Sequence, residues 1–160
     1  MKVTLVASAM VEHTGKYLLV QQARSRRQPG KWGPPGGKPD VGETLPDAAV
    51  RETTEETGLA IEITGFVGII RSGHREDPNL FVCFAAKLQP GQDTENLQLP
   101  PGEISGGRWL ELAEIEKDAV TLRSTPFKDL YRRLSEGKVF PLELVQHEPL
   151  DAASISYNLS

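Results

Sequence analysis

The chain has a single cysteine, Cys83, so it can form no internal disulfide, and a reducing, cytoplasmic setting fits best. No apolar run approaches the roughly 18 to 20 residues that span a bilayer, so the sequence does not read as a membrane protein. It has no excess of positive charge: 18 Lys and Arg against 22 Asp and Glu leave a net −4. That balance suits neither duplex DNA nor an anionic membrane surface. Internal repeats and low-complexity segments are absent. A secretory signal is poorly formed: Ala7-Ser8-Ala9 mimics a cleavage site, but only Val3 to Val6 precede it, where an apolar core of roughly 7 to 15 residues is needed. The segment reads instead as a first strand. What remains is a chain of 160 residues, 38% hydrophobic and 25% charged, long enough for one domain with its own core.

Val3 to Glu12 and Tyr17 to Gln22 read as a hairpin, with His13-Thr14-Gly15-Lys16 as turn chemistry. From Ala23 to Pro39 the chain turns basic and rich in Gly and Pro, with Arg24, Arg26, Arg27, Lys31 and Lys38 and no acid before Asp40. This reads as a loop, apart from a short extended piece around Trp32. Thr44 to Thr57 predicts a helix: Thr44 caps it, Pro46 suits the first turn, Asp47 favours its positive end and Gly58 stops it. Ala60 to Arg71, Leu80 to Leu88 and Ser105 to Leu112 read as strands, with a polar link from Ser72 to Asn79 and a loop from Gln89 to Pro101. A second helix is predicted from about Thr125 to Glu136, where Phe127, Leu130, Tyr131 and Leu134 form an apolar stripe. The fold class is therefore α/β, a mixed sheet between helices. The domain is taken as residues 1–137. The tail 138–160 carries only Val139, Phe140, Leu142 and Leu144 as an apolar cluster. A surface strand of the same domain, a dimer contact and a disordered end are all open for it.

The helix from Thr44 to Thr57 violates helix rules. At about 100° per residue, Glu52, Glu55 and Glu56 share one face. Like charges three and four residues apart repel, and all three lie near the C-terminus, where the helix dipole favours Lys or Arg. Asp40 to Glu56 holds six acids (Asp40, Glu43, Asp47, Glu52, Glu55, Glu56) and one base, Arg51. A solvated acidic face is the bland account. The context argues otherwise: a Pro-Pro-Gly-Gly turn able to approach a ligand closely comes just before the acids, and the basic loop lies beside it. Local costs without local compensation mark functional sites. Carboxylates with a backbone carbonyl suit Mg²⁺ or Mn²⁺, and adjacent bases suit an anionic, phosphate-bearing substrate.

Gly37, five residues, Glu43, seven residues, Arg51-Glu52, two residues, Glu55-Glu56, one residue, Gly58, Leu59 resembles the Nudix box of the Nudix hydrolases, over 23 residues. The departure is Thr53, where the family usually has a bulky aliphatic residue; this weakens a packing contact and touches no ligand. The resemblance implies an α/β/α sandwich and Mg²⁺- or Mn²⁺-dependent hydrolysis of a pyrophosphate bond in a nucleoside diphosphate derivative. Such a substrate is a nucleoside triphosphate, ADP-ribose or a nucleotide sugar, or a dinucleoside polyphosphate. It further implies Glu52 and Glu56 as main metal ligands, Glu55 as a further ligand or water-positioning group, the Gly36 carbonyl as backbone ligand, and Arg51 and Glu43 as orienting partners. Water would attack phosphorus, and family members differ in which carboxylate acts as base.

Glu103, a glutamate outside the box, is the candidate to complete the catalytic set of Glu52, Glu55 and Arg51. Arg24, Arg26, Arg27 and Lys31 are candidate phosphate holders, Arg24 first because it lies nearest the strand end. His74 reads as surface and Cys83 as a buried strand residue. No aromatic residue is singled out for a nucleobase, because aromatics in strands and helices are usually core. Two other functions compete: a nucleotide-sensing domain without catalysis, which commonly lacks box glutamates that are all present here, and an RNA 5′-pyrophosphohydrolase, disfavoured by the net charge. The expected partner is a small nucleotide; a homodimer is left open.

Overall fold

The computed structural model describes residues 2–24 and 28–148. In chain order the elements are β1 (Thr4–His13), β2 (Lys16–Gln22), β3 (Trp32–Gly33), β4 (Gly36–Gly37), α1 (Leu45–Thr57), β5 (Ile61–Gly73), β6 (Pro78–Leu88), β7 (Ile104–Glu111), α2 (Leu112–Glu116), α3 (Phe127–Ser135) and a short 3-10 turn, Leu142–Leu144. Among the described residues no helix is long and apolar enough to cross a membrane.

The β1–β2 hairpin turns on Thr14 and Gly15, both at positive φ (49° and 77°), the two-residue turn whose twist matches that of the strands. The turn is thus tighter than the four residues the sequence suggests, and β1 runs on through His13. The two strands pair only at Glu12 with Tyr17 and His13 with Lys16, then diverge. Into this fork go two short strands. β3 pairs with β2 (Val20 with Gly33, Gln21 with Trp32), and β4 pairs with β1 (Ala7 with Gly37, Ser8 with Gly36). The Gly36-Gly37 segment, which reads in the sequence as part of a turn, is therefore a sheet rung. Its length of two residues leaves no periodicity to detect. The other edge of β1 pairs in parallel with β6, β6 pairs antiparallel with β5, and β7 pairs antiparallel with β2, giving a seven-stranded mixed sheet.

Period-2 alternation sends β1 and β6 side chains to opposite faces. Val6, Met10, Phe81, Cys83 and Ala85 pack against α2 and α3 through Ile115, Phe127, Leu130 and Tyr131. Ala7, Ala9, Val11, Val82, Phe84 and Ala86 pack beneath α1 through Ala48 and Ala49. Helices thus cover both faces, the α/β/α sandwich expected. Cys83 lies fully buried, and burial pushes its thiol up to about 12. His74 is exposed, in the link between β5 and β6.

α1 is capped as its residues predict. The Thr44 hydroxyl accepts from the Asp47 N–H at 3.2 Å, and Gly58, at φ 77°, donates its N–H to the Thr54 carbonyl. Thr53, buried where an aliphatic side chain is usual, satisfies its hydroxyl on the Ala49 carbonyl at 2.8 Å, and Thr57 does the same on Thr53 at 2.6 Å. The substitution leaves no unpaired group inside. The helix α2 goes beyond what the sequence pattern predicts. Its signal is a capping box in which Glu111 and Glu114 serve each other's backbone N–H, and it takes Leu112 from the strand that precedes it.

The first part of the tail docks on the domain. Phe140 exchanges both backbone hydrogen bonds with Phe66 of β5 (2.8 and 2.9 Å), Val139 joins the α3-side core, and Leu142 and Val145 the α1 side. His147 Nε2 accepts the free N–H of Leu45 at the start of α1, at 3.0 Å.

A Cβ on Gly36 would fall on the Ala7 carbonyl and Ser8. Gly36→Ala is expected to cost roughly 1–3 kcal/mol as β4 is forced off β1, measurable as a lower denaturant midpoint with unchanged m-value; an unchanged midpoint contradicts the close approach.

Candidate active site

At the fork of the hairpin lies an open cleft of about 550 Å³, lined by Gly36, Gly37, Glu52 and Glu56 on one side. Glu103 and Ile104 at the start of β7, Gln22, Arg24, Gln28, Lys38, Arg123, Val6 of β1, Asp77 just before β6, and Lys2, Thr4 and Asn79 at the strand starts complete the lining. The volume suits a nucleotide-sized ligand.

Arg51 organises the acidic helix. Its Nε and Nη2 donate to the two carboxylate oxygens of Glu43 at 2.8 and 2.9 Å, a two-pronged contact. Nη1 donates to Glu52 and to Glu55, both at 3.1 Å, and Nη2 also to the Lys38 carbonyl. The pairing with Glu43 holds the Arg51 guanidinium proton still more tightly than usual and keeps the Glu43 carboxyl below the ordinary range. Glu43 also accepts the Asp40 N–H at 2.9 Å, which fixes the loop entering α1. Arg51 therefore positions the acids and does not itself line the cleft.

Glu56 is the buried acid, 8% exposed. Its Oε2 accepts the Gly36 N–H at 3.1 Å, with the Gln22 amide 3.5 Å from Oε1. Burial pushes its carboxyl up to about 7, with the Glu52 charge adding to the rise and the Gly36 N–H opposing it. Burial also raises the Glu52 carboxyl, against the pull of Arg51. Glu52 approaches so closely that a Cβ on Gly37 would fall on its carboxyl group. The two box glycines thus have separate tasks, Gly36 toward β1 and Glu56, Gly37 toward Glu52.

Not every residue singled out from the sequence reaches the cleft. Glu52, Glu56, Glu103, Gly36 and Arg24 line it, Arg24 with its guanidinium against Gly102. Glu55 points outward, 57% exposed and tied to Arg51. Lys31 belongs to the loop and does not line the cleft, and Arg26 and Arg27 lie outside the described residues. Sequence reasoning missed Gln22, Asn79, Lys2 and Arg123. The first three carry no local signal. Arg123 is a lone base in Thr121-Leu122-Arg123-Ser124, brought in because Trp32 of β3 pairs with Leu122: the Trp32 N–H donates to Thr121 and the Arg123 N–H to Trp32, at 2.8 and 2.7 Å.

Do these residues fit a divalent cation? Among the described residues no group of three or more His, Cys, Asp or Glu side chains is gathered as a cage. Of the acids that line the cleft, Glu52 and Glu56 come from one helix face, and each is made reluctant to ionise by burial. These are hard oxygen donors whose negative charge a cation relieves, so the donor set fits Mg²⁺ or Mn²⁺.

The model of the NUDIX domain matches residues 2–131. The Phosphatase NudJ of Shigella boydii is 30% identical over 142 residues, 88% of this chain and 89% of that protein; that of Escherichia coli K12 is 29% identical over the same spans. Among solved structures, a NUDIX hydrolase from Nitrosomonas europaea superposes with a TM-score of 0.76 at 25% identity, covering 91% of this chain and 97% of that one. An Ap4A hydrolase of C. elegans does so with 0.64 at 26%, covering 85% and 95%. The chain belongs to the Nudix hydrolase family. It is accordingly a hydrolase, of the reaction class that cleaves a pyrophosphate bond in a nucleotide derivative.

Folded Glu56 keeps its proton up to about pH 7, whereas the carboxyl of the unfolded chain loses it near 4.5. The native state thus binds the extra proton in that window, and stability falls as pH rises through it. The penalty is on the order of 3 kcal/mol above the window. In EDTA, Glu56→Gln is expected to melt roughly 5 to 10 °C above the parent at about pH 8 and close to it at about pH 4. Equal melting at both values refutes the assignment.

Proposed function

We propose that this protein hydrolyses the pyrophosphate bond of a soluble nucleoside diphosphate derivative with Mg²⁺ or Mn²⁺ as cofactor. The observation that carries this reading is the placement of Glu56 on the Gly36 N–H and of Glu52 against Gly37 inside a cleft that is also lined by cations. Glu52 and Glu56 would hold the cation, together with the Gly36 carbonyl. The bound ion would supply Lewis-acid polarisation of phosphate oxygens and stabilise the leaving oxygen.

The chain's own residues supply the rest. Arg51 keeps Glu52 in place through one of its two carboxylate oxygens, leaving the other for the cleft. Glu43 and the Lys38 carbonyl lock Arg51 in turn, so the arrangement is set before substrate arrives. Glu55, held by the same guanidinium outside the cleft, orients water at the helix surface. Glu103 faces the cleft from the turn just before β7, outside the Arg51 network, and its backbone is pinned by the Ala23 N–H on its carbonyl at 2.8 Å. That makes it the carboxylate suited to take the proton of the attacking water. Arg24, over Gly102 beside Glu103, is placed to meet substrate phosphate. Arg26 and Arg27 of the same loop remain phosphate-binding candidates by charge. Lone, buried Cys83 accords with a reducing, cytoplasmic compartment.

The test is product release from nucleoside triphosphates, ADP-ribose, nucleotide sugars and dinucleoside polyphosphates, with and without Mg²⁺ or Mn²⁺. Metal-dependent cleavage of one class is expected. Glu56→Gln and Glu52→Gln should each abolish it together with the metal-induced rise in melting temperature. Glu103→Gln should lower kcat by about 10²- to 10⁴-fold while that rise persists. Turnover surviving in Glu56→Gln, or no turnover of any class, counts against the reading.

A further inference from the structure

Among the described residues four cations line the cleft: Lys2, Arg24, Lys38 and Arg123. The first three are exposed. Arg123 differs. Its Nε is shut off from solvent and has no hydrogen-bond partner, and among the described residues no carboxylate lies within ion-pair distance of its guanidinium. The side chain rests instead over the face of Phe81, with its guanidinium carbon 5.1 Å from the ring centre. Gly33 makes room for its stem, since a Cβ there would sit 3.2 Å from Arg123 Cδ. The backbone on either side is pinned, the N–H to Trp32 and the carbonyl by the Gln28 amide at 2.8 Å.

A guanidinium cannot escape burial by losing its proton, so the cost of an unmet, charged donor stands in the folded protein. A cation–π contact recovers only part of it. The charge nearest in effect is Glu56, which is committed to the Gly36 N–H and resists ionisation. A rigidly held, unpaired cation beside the metal-binding carboxylates is what an anionic ligand requires.

We propose that Arg123 is the substrate anchor of this cleft, donating its N–H groups to oxygens of a phosphoryl group bound between segment 121–123 and the Glu52–Glu56 pair. The proposal rests on the functional reading above, in that the ligand carries a pyrophosphate. A nucleobase stacked on the guanidinium is the weaker alternative. No aromatic side chain among the described residues lines the cleft, and Phe81 is already covered by Arg123 and only 1% exposed.

The experiment compares the parent with Arg123→Gln and Arg123→Lys, using inorganic pyrophosphate with Mg²⁺ as probe in titration calorimetry, and melting curves in EDTA. Arg123→Gln is expected to weaken pyrophosphate binding by roughly tenfold to a hundredfold, with no fall in the ligand-free melting temperature because an unmet charge has been removed. Arg123→Lys, which keeps the charge but not the planar fork, should lie between the two. In the panel assay, KM should rise by a similar factor. Should Arg123→Gln melt lower while pyrophosphate binds as before, the side chain merely packs on Phe81 and the proposal fails; it fails equally if the parent does not bind pyrophosphate. If the parent cleaves no nucleotide yet its pyrophosphate binding still depends on Arg123, the functional reading falls and the anchor stands. Cleavage with unchanged KM in Arg123→Gln overturns the anchor and leaves the hydrolase in place.

Discussion

Arg51 has to serve five acceptors with one guanidinium: both oxygens of Glu43, one each of Glu52 and Glu55, and the carbonyl of Lys38. The acids that end α1 would otherwise repel one another and the negative end of the helix dipole at once. Placed one turn before Glu55, Arg51 relieves part of that repulsion and converts the remainder into geometry. Glu43 is held half-buried at the helix start, Glu55 is held outward, and Glu52 is turned toward Gly37. Glu56 is left out of the network altogether. Its single firm contact is the Gly36 N–H, so its charge stays uncompensated inside the protein.

That arrangement requires the backbone of Gly36 and Gly37 to lie between β1 and α1, and the forked hairpin makes the space. Had β1 and β2 stayed paired along their length, no strand could reach the position of β4. The same fork admits β3, and β3 in turn recruits segment 121–123 through Trp32. One departure from regular pairing therefore delivers both sides of the cleft, carboxylates from α1 and a cation from the segment before α3.

Much of this is legible in the sequence because it is encoded locally. The limits of α1 follow from Thr44, Pro46 and Gly58, and the conflict among Glu52, Glu55 and Glu56 marks the site through helix geometry alone. The two faces of β1 and β6 follow from alternation. The parts that cannot be read depend on tertiary contacts. Two-residue strands have no period, and the docking of Phe140 on Phe66 depends on an open edge of β5 that no pattern in the tail announces. Glu55 and Glu56 are neighbours of the same chemistry, and only the packing of α1 decides that one is 57% exposed and the other buried. Arg123 lies far from the box in sequence, and a lone arginine before a helix ordinarily reads as surface.

The two uncompensated charges are complementary. The Glu56 carboxyl faces the positive charge of Arg123, close enough for each to influence the other yet without an ion pair to cancel them. Letting Arg123 collapse onto Glu56 would settle both locally, but pinned backbones on the two sides prevent it: Gly36 holds the acid, and Trp32 with Gln28 holds the base. A ligand that presents a cation to the carboxylates and phosphate oxygens to the guanidinium relieves both penalties in one event. Each half then strengthens the binding of the other, because neutralising Glu56 removes the field that partly compensated Arg123, leaving the phosphate to supply it. The stability lost to these charges in the free protein is thus recovered selectively, by a metal–phosphate ligand and by neither component as well alone.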